Sequence, residues 1–465
     1  GYQTRRGDIK RVNGKGESMT FENKGKENNG ATYGRRSDWQ NLYTIAKKYY
    51  EALLADPGNA QFHLTDPRGA SDKSGRTFNN PYQYFFEQMH MDDAIYADES
   101  IYEYPMQQGG GNDGRPYSFG RPSSGGSKAA YPCKSYGQGR INPAYFYGIF
   151  DPNDMRRDVS ITMTGSNGKG VEKLIPFVPN SKAEGGGLTL NKWDENRQAN
   201  PWVAAQRKSG INGPYMRMSE VYLGYAEVCA ALGDVVTGKQ YLKTVRERSF
   251  PQGLADTDGF IASFGNDLVR AIIEERGFEY AGEGDRRWTL IRSGYLPEDI
   301  KRIKDMTKAM MDGLATKGYY EFENGNIISA YIWTKLVDAK TIYGHRLTAQ
   351  CPMDKVNDPV LYPGWRGQKD NWEEMGLNYG NSAPATNLAI KGLFEIVSEE
   401  EAASLESQGY AKVNWGIDLV DYRDEYDKYL FWDYDYVSAP IYLWPFTPNV
   451  MAAGGFTNGY GFKQE

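Results

Sequence analysis

"EERGFEYAGEGDRRWTLIRSG", residues 274–294, sets Glu274, Glu275 and Glu279 beside Arg276, Arg286, Arg287 and Arg292, with Arg270 one turn upstream. Read as a helix, Glu275 and Glu279 are i, i+4 neighbours, a spacing that lets two carboxylates approach the separation used by retaining glycoside hydrolases. Against that, neighbouring arginines lower carboxylate pKa values, the wrong direction for a general acid. Structural ion pairing is therefore the stronger reading of the stretch and hydrolysis by this pair the weaker one. "GEGDRRW" has two glycines and no following Lys-Ser/Thr pair, so it makes a poor phosphate loop. Gly282 and Gly284 are expected to end the helix and turn the chain.

Working outward, the preceding segment "NDLVRAIIEERGFEYAGEG" reads as a helix with Asn266 as its N-cap. Before it, "MSEVYLGYAEVCAALGD" spaces Val221, Leu223, Ala226, Val228, Ala230 and Leu232 at helical intervals. It turns at Gly233-Asp234 into "VVTGKQYLKTVRERS", a helix–turn–helix of repeat-like size. Far upstream, "WQNLYTIAKKYYEALLADPGNA" carries Leu42, Ile45, Ala46, Tyr49, Ala52 and Leu53 on one helical period and stops at "DPGN". Ala46, Tyr50, Asp56-Pro57 and Ala60 there resemble the second helix of a tetratricopeptide repeat. One such repeat cannot bury its apolar face alone, so partner helices are required.

Five regions follow from this pass: residues 1–38 as a polar loop or arm, 39–63 as a repeat-like helix, 64–215 as a loop-rich region, 216–295 as signature helices, and 296–465 as variable aromatic-rich loops with a C-terminal closure. The loop-rich region is dense in Gly, Pro, Ser, Tyr and Asn, and a long irregular stretch in a compact domain usually carries function. Tyr82, Tyr84 and Phe85 within it alternate like a half-buried strand or helix face. Downstream, a helix is expected near "EDIKRIKDMTKAMMDGL" and short strands at "NIISAYIW". The fold class is thus mostly α.

Composition narrows the function. A net charge of −6 offers no basic field for a phosphate backbone, which argues against nucleic acid as a partner. Cys133, Cys229 and Cys351 stand far apart, and His63, His90 and His345 lack the i, i+4 spacing of a zinc helix, so no metal site or other cofactor is expected from them. The acidic run 418–436 could hold a structural calcium ion, but it lacks EF-hand spacing, and Arg423 and Lys428 are simpler counter-ions. No run of residues reaches the roughly 18–20 apolar residues of a membrane-spanning helix. Aromatic residues are plentiful, with 35 Tyr and 10 Trp, and those on loops are the candidate contact groups.

The spacing of Glu275-Arg276, Glu279, Glu283-Gly284, Arg286, Leu290, Arg292 and Gly294 resembles the signature helix and turn of the SusD-like (SusD/RagB) nutrient-binding lipoproteins of Bacteroidetes. Thr289 departs from it, standing where an Asp is usual. Arg217, Glu220, Ala226 and Glu227 in "RMSEVYLGYAEVCAALGD" are similar to the family's R-x-x-E-x-x-L-x-x-A-E helix, and Val245, Arg246 and Arg248 to the segment after it. "YSFGRPSSGG" (117–126) and "DPNDMRRDVSIT", with Asp151, Arg157 and Asp158, resemble two mid-chain motifs. "IYLWPFTPN" and "FTNGYGF" resemble the family's closure, with Phe446-Thr447 replacing Ile-Pro.

That resemblance, from about residue 38 onward, implies a tetratricopeptide-like helical scaffold holding a loop-rich substrate face. It implies a surface-exposed outer-membrane protein, held by an N-terminal lipid anchor outside this chain, that captures an oligosaccharide for a SusC-like TonB-dependent transporter and has no enzymatic activity. It also implies further helical repeats before this chain's opening, with Gly1 not the natural mature N-terminus. Arg217, Glu220, Glu227, Glu275, Arg276, Glu279, Glu283, Arg286 and Arg292 then read as structural. Trp365 and Trp372, with Asn371, are the leading glycan candidates; Trp333, Tyr319 and Tyr320 come next, each with packing on the scaffold as its alternative. A peptide-capturing member of the same family, a glycoside hydrolase and a plain protein-binding repeat scaffold are the rival readings.

Overall fold

The computed structural model describes residues 11–12, 18–19, 38–67, 80–90, 96–110, 114–123, 135–166, 172–179, 185–194, 207–338, 386–429 and 446–455. After the minimal antiparallel pair β1 (Arg11–Val12) and β2 (Ser18–Met19), the repeat-like helix expected near residue 42 is α1 (Trp39–Ala55). It docks through Tyr43, Ala46, Tyr50 and Leu54 on Tyr225, Val228 and Cys229 of a later helix, and Glu51 accepts a 3.1 Å hydrogen bond from the Tyr225 hydroxyl.

Residues 80–194 form several short elements: α2 (Pro81–Gln88), β3 (Ser100–Tyr104), α3 (Gly114–Phe119), a π-helix (Tyr145–Ile149) and α4 (Arg156–Ser160). Strands β4 (Ile161–Thr162), β5 (Thr164–Ser166), β6 (Glu172–Leu174) and β7 (Thr189–Leu190) follow, with β4 paired to β7 and β5 to β6. None of these elements exceeds eight residues, too short for a hydrophobic period to accumulate, so the sequence reads there as loop. The region nonetheless has a core: Tyr82, Phe85, Phe86 and Met89 of α2 pack with Val159, Leu190, Trp193 and Ile211. The Tyr82, Tyr84 and Phe85 pattern is helical, with Tyr84 half-buried and donating to Asp98 at 3.4 Å.

β8 (Gly213–Arg217) pairs with β3 and runs directly into α5 (Met218–Ala231), which folds back on α6 (Val235–Glu247) through a turn at Gly233 with φ +94°. The two helices approach closely because Gly238 faces Ala226: a Cβ on Gly238 would stand 2.9 Å from the Ala226 carbonyl oxygen. This small-on-small contact is the repeat logic expected of the pair. α7 (Thr257–Ala262) leads to α8 (Leu268–Glu279), in which every residue is buried. The cap of α8 is Asp267 and not Asn266. The Asp267 carboxylate accepts from the Arg270 amide at 3.1 Å, whereas Asn266 sits at φ +62°, a left-handed conformation unlike the extended backbone typical of an N-cap.

α9 (Arg286–Ser293) ends on Gly294 at φ +79°, and α10 (Leu296–Lys317) covers the expected "EDIKRIKDMTKAMMDGL" helix. Strands β9 (Tyr319–Glu321) and β10 (Ile327–Ser329) form a hairpin, while β11 (Tyr331–Asp338) is the middle strand of an antiparallel sheet between β12 (Thr386–Lys391) and β13 (Ala411–Asn414). Short helices Glu399–Ser407, Gly416–Asp421, Arg423–Tyr429 and Pro448–Gly454 complete the described chain. The largest core joins the π-helix, α8, α10 and this sheet through Phe146, Tyr147, Phe150, Phe278, Met310, Met311, Ile332, Ile390 and Trp415. The fold is mostly α, with sheets of two or three short strands; no described helix is long and apolar enough to cross a membrane.

Candidate functional site

The signature acids lie at the centre of the molecule. Glu275 and Glu279 are both fully buried, and one guanidinium, Arg156, bridges them: Nη1 stands 2.7 Å from Glu275 and 3.1 Å from Glu279. Arg246 holds the other oxygen of Glu275 at 3.0 Å, and Arg217 and Arg248 hold Glu279 at 2.5 and 2.8 Å. Glu99 then joins Arg217 to Arg248 at 3.0 and 2.6 Å, Asp154 holds Arg156 at 2.7 Å, and Glu283 takes Lys192 at 2.6 Å and Arg217 at 3.0 Å. Five cations thus meet five carboxylates, a balance that makes so large a buried charge cluster tolerable. Aromatic faces close the gaps, with Arg217 4.7 Å from the Tyr280 ring centre and Arg248 3.8 Å from that of Phe62.

The backbone is wired into the same cluster. The Glu279 carbonyl, at the negative end of α8, accepts from the Tyr82 hydroxyl at 2.7 Å, Arg217 at 2.8 Å and Lys192 at 3.3 Å. Burial pushes the Glu279 carboxyl up, but Arg217, Arg248 and Arg156 overcome it and hold the group well below the usual carboxylate range. Glu99 is lowered for the same reason, by Arg248 and Arg217. Burial pushes Lys192 down to about 8 against the opposing pull of Glu283. A general acid needs a raised pKa and room for a sugar between the carboxylates; here Glu279 is lowered and the Arg156 guanidinium fills the space between the two. The hydrolase reading of Glu275 and Glu279 is therefore overturned.

Two flanking clusters use the remaining signature residues. Glu274 takes Arg286 at 2.6 Å and Arg302 at 2.5 Å, and Asp299 adds Arg270 at 2.5 Å; despite burial, the three arginines bring Glu274 down to about 2. Arg276 forks onto Glu220 at 3.0 and 2.7 Å and reaches Asp285 at 2.5 Å, while Arg292 forks onto Glu227. Thr289 keeps its place in this group: its hydroxyl accepts from Arg276 Nε at 3.3 Å and donates to Asp285 at 2.9 Å. Asp285 supplies the carboxylate that an Asp at 289 would have brought. The signature motif thus stitches α8 to α5, α6, α9 and α10.

Sequence reading missed Glu99, Asp154, Arg156, Lys192, Asp299 and Arg302. Arg156 had a signal, standing beside Arg157 in "DPNDMRRDVSIT", but the fully buried bridging cation is Arg156, whereas Arg157 pairs with Asp158 at 3.2 Å and lies 4.2 Å from the Phe394 ring centre. Glu99 and Lys192 lie far from α8 in sequence, and only the tertiary fold brings them in.

The ligand candidates fall elsewhere. Trp365, Asn371 and Trp372 lie outside the described residues, in the segment joining β11 to β12. Trp333 is 6% exposed, packed with Ala389, Leu405 and Tyr410, so the scaffold-packing alternative holds for it. Tyr319 and Tyr320 are half-buried on β9, and Tyr320 meets Phe322 edge-on at 4.8 Å. The described part of the acidic run places Arg423 on Asp312 at 2.8 Å, and among the described residues no group of three or more His, Cys, Asp or Glu is arranged to hold a metal. A cleft of about 410 Å³ opens beside Leu64, Thr65, Glu247, Phe250 and Arg248, whose guanidinium already serves Glu99 and Glu279. Among the described residues the exposed aromatic rings include Tyr49, Tyr96, Phe119, Trp288 and Phe446, and three more, Tyr102, Tyr104 and Tyr215, stand together on the β3–β8 ribbon.

The described chain is thus a helical scaffold locked by buried ion pairs, with aromatic rings exposed at its surface. The chain belongs to the SusD family, whose model matches residues 60–445. It matches a SusD homolog from Bacteroides thetaiotaomicron at 18% identity over 57% of this chain and 54% of that one, with a TM-score of 0.38. Surface glycan-binding protein A from Bacteroides uniformis matches at 20% identity over 55% and 46% of the two chains with a TM-score of 0.36, and NanU of B. fragilis at 17% over 55% and 51% with 0.34. The chain thus spans about half the length of these solved structures. No curated protein matches it.

Proposed function

We propose that the protein is a cell-surface nutrient-binding protein of the outer membrane, held there by a lipid anchor, that captures a glycan and delivers it to a SusC-like TonB-dependent transporter. Membership of the SusD family over residues 60–445 carries this reading. The ion-pair clusters support it by removing the one catalytic alternative that the sequence offered, and the exposed tyrosines support it by providing flat, uncharged stacking groups. The work of the protein is binding: rings stack on sugar faces, amides and hydroxyls bond to sugar hydroxyls, and the ligand leaves chemically unchanged.

Two assays test it together. Native electrophoresis through gels containing laminarin, starch or arabinoxylan is expected to retard the protein in at least one of them, with no release of reducing ends. Pull-down from solubilised outer membranes is expected to recover a TonB-dependent barrel. Release of reducing ends by pure protein, or recovery of no barrel, contradicts the reading.

A further inference from the structure

We propose that the outward face of the β3–β8 ribbon, formed by Tyr102, Tyr104 and Tyr215, is a stacking platform for the pyranose rings of a neutral glycan; this rests on the glycan-binding reading above. The three rings are 53%, 55% and 74% exposed, and Tyr102 meets Tyr215 edge-on across the strands at 5.5 Å, 84°. Cross-strand aromatic pairs do stabilise ribbons, but that role alone would not leave Tyr215 three-quarters bare. A soluble surface that sets three large rings on one short ribbon marks a contact site.

The ribbon is held rigidly from beneath, so the rings need little ordering on binding. Glu103, between Tyr102 and Tyr104, is turned inward and 3% exposed, accepting from the Ala97 amide at 2.9 Å, the Ser100 hydroxyl at 2.5 Å and Asn212 Nδ2 at 2.9 Å. Asn212 in turn accepts from the Met106 amide at 2.8 Å. At the other end, Arg217 of β8 is an anchor of the central ion cluster. Rigid rings on a pre-ordered strand pair lose little conformational freedom on binding, the condition for useful affinity from a small contact.

The chemistry of this face selects the ligand. The ribbon's two charged side chains, Glu103 and Arg217, are buried, so the exposed face presents rings and phenolic hydroxyls without charge. Arg115 borders the ribbon at Gly213 and lies 5.9 Å from the Trp193 ring centre. A neutral ligand with apolar faces and hydroxyl edges fits such a surface, whereas an anionic polymer would find no row of cations. Regular addition of a peptide strand is disfavoured: the β3–β8 pairing shifts register at Ile101 of β3 and at Tyr215 of β8, and β8 contains Pro214, which has no amide hydrogen to donate.

The test is native affinity electrophoresis in laminarin, starch and arabinoxylan gels, comparing wild type, Tyr102→Ala, Tyr215→Ala and Tyr215→Phe, with thermal melting of each. The inference expects each alanine variant to bind roughly tenfold more weakly at an unchanged melting temperature, and Tyr215→Phe, which keeps the ring, to bind nearly as wild type. Should an alanine variant melt early, Tyr104→Ala gives the same readout without disturbing the Tyr102–Tyr215 pair, and is expected to weaken binding by a similar factor. Wild-type retention with undiminished alanine variants overturns this site and leaves the glycan reading standing. A wild type retarded only by heparin overturns the neutral-glycan platform and leaves the glycan reading standing, whereas one retarded by no glycan, or only by peptides, overturns both.

Discussion

The α8 surroundings and the β3–β8 ribbon are built from opposite materials. Around α8, ten charged side chains in the central cluster are buried and matched one for one; on the ribbon, uncharged rings face water while the charged residues turn inward. The two meet at Arg217, which ends the exposed strand and enters the buried cluster. A dense charged motif in the sequence therefore marks the scaffold, and a short tyrosine alternation marks the contact surface. The motif that identifies a family need not be the part that touches its ligand.

The comparison breaks most easily at its buried side. Replacing Arg217 with Ala removes a cation shared by Glu99, Glu279 and Glu283 and leaves the buried cluster one positive charge short, and stability should fall by about 3–5 kcal/mol, read by urea unfolding. Acid tests the same cluster without mutation. Glu279, Glu99 and Glu274 have folded pKa values below their unfolded ones, so the stability they contribute is fully present above the unfolded value of about 4.3 and is lost as pH falls through the folded values, about 2 for Glu274. The urea midpoint should decline steeply from about pH 4.3 toward pH 2, and Glu274→Gln should flatten that slope; an unchanged slope would contradict the pairing.

Smaller effects sharpen the contrast. Asp267→Ala removes the α8 cap and should cost about 1 kcal/mol, while Asn266→Gly, which keeps the left-handed backbone at φ +62°, should cost less, a comparison of the two candidate caps by thermal melting. On the exposed side, Tyr215→Ala should change stability by less than about 0.5 kcal/mol.

The helical scaffold was legible because its helices are long enough for apolar periods to accumulate: α1, α5, α6, α8 and α10 each run twelve residues or more. The pairing of the signature residues was legible in kind, from arginines beside acids, but its partners were not. Arg156 reaches Glu279 across 123 positions of sequence, Lys192 reaches Glu283 across 91 and Glu99 reaches Arg217 across 118, and only the tertiary fold brings them together. The N-cap was misplaced by one residue because Asn and Asp are both good caps in isolation and backbone conformation decides between them. The ribbon was missed for a different reason. In "SIYEY" the tyrosines alternate as any strand does, and alternation alone does not say which face meets water.

The account's central claim is that the paired acids of α8 are wiring and the surface carries binding. Glu279→Gln tests it most directly, assayed by thermal melting alongside glycan retention well below the melting point. The account predicts a loss of about 3 kcal/mol, because Arg156, Arg217 and Arg248 lose a shared carboxylate, with retention of the folded protein unchanged. An unchanged melting temperature combined with lost retention would contradict it.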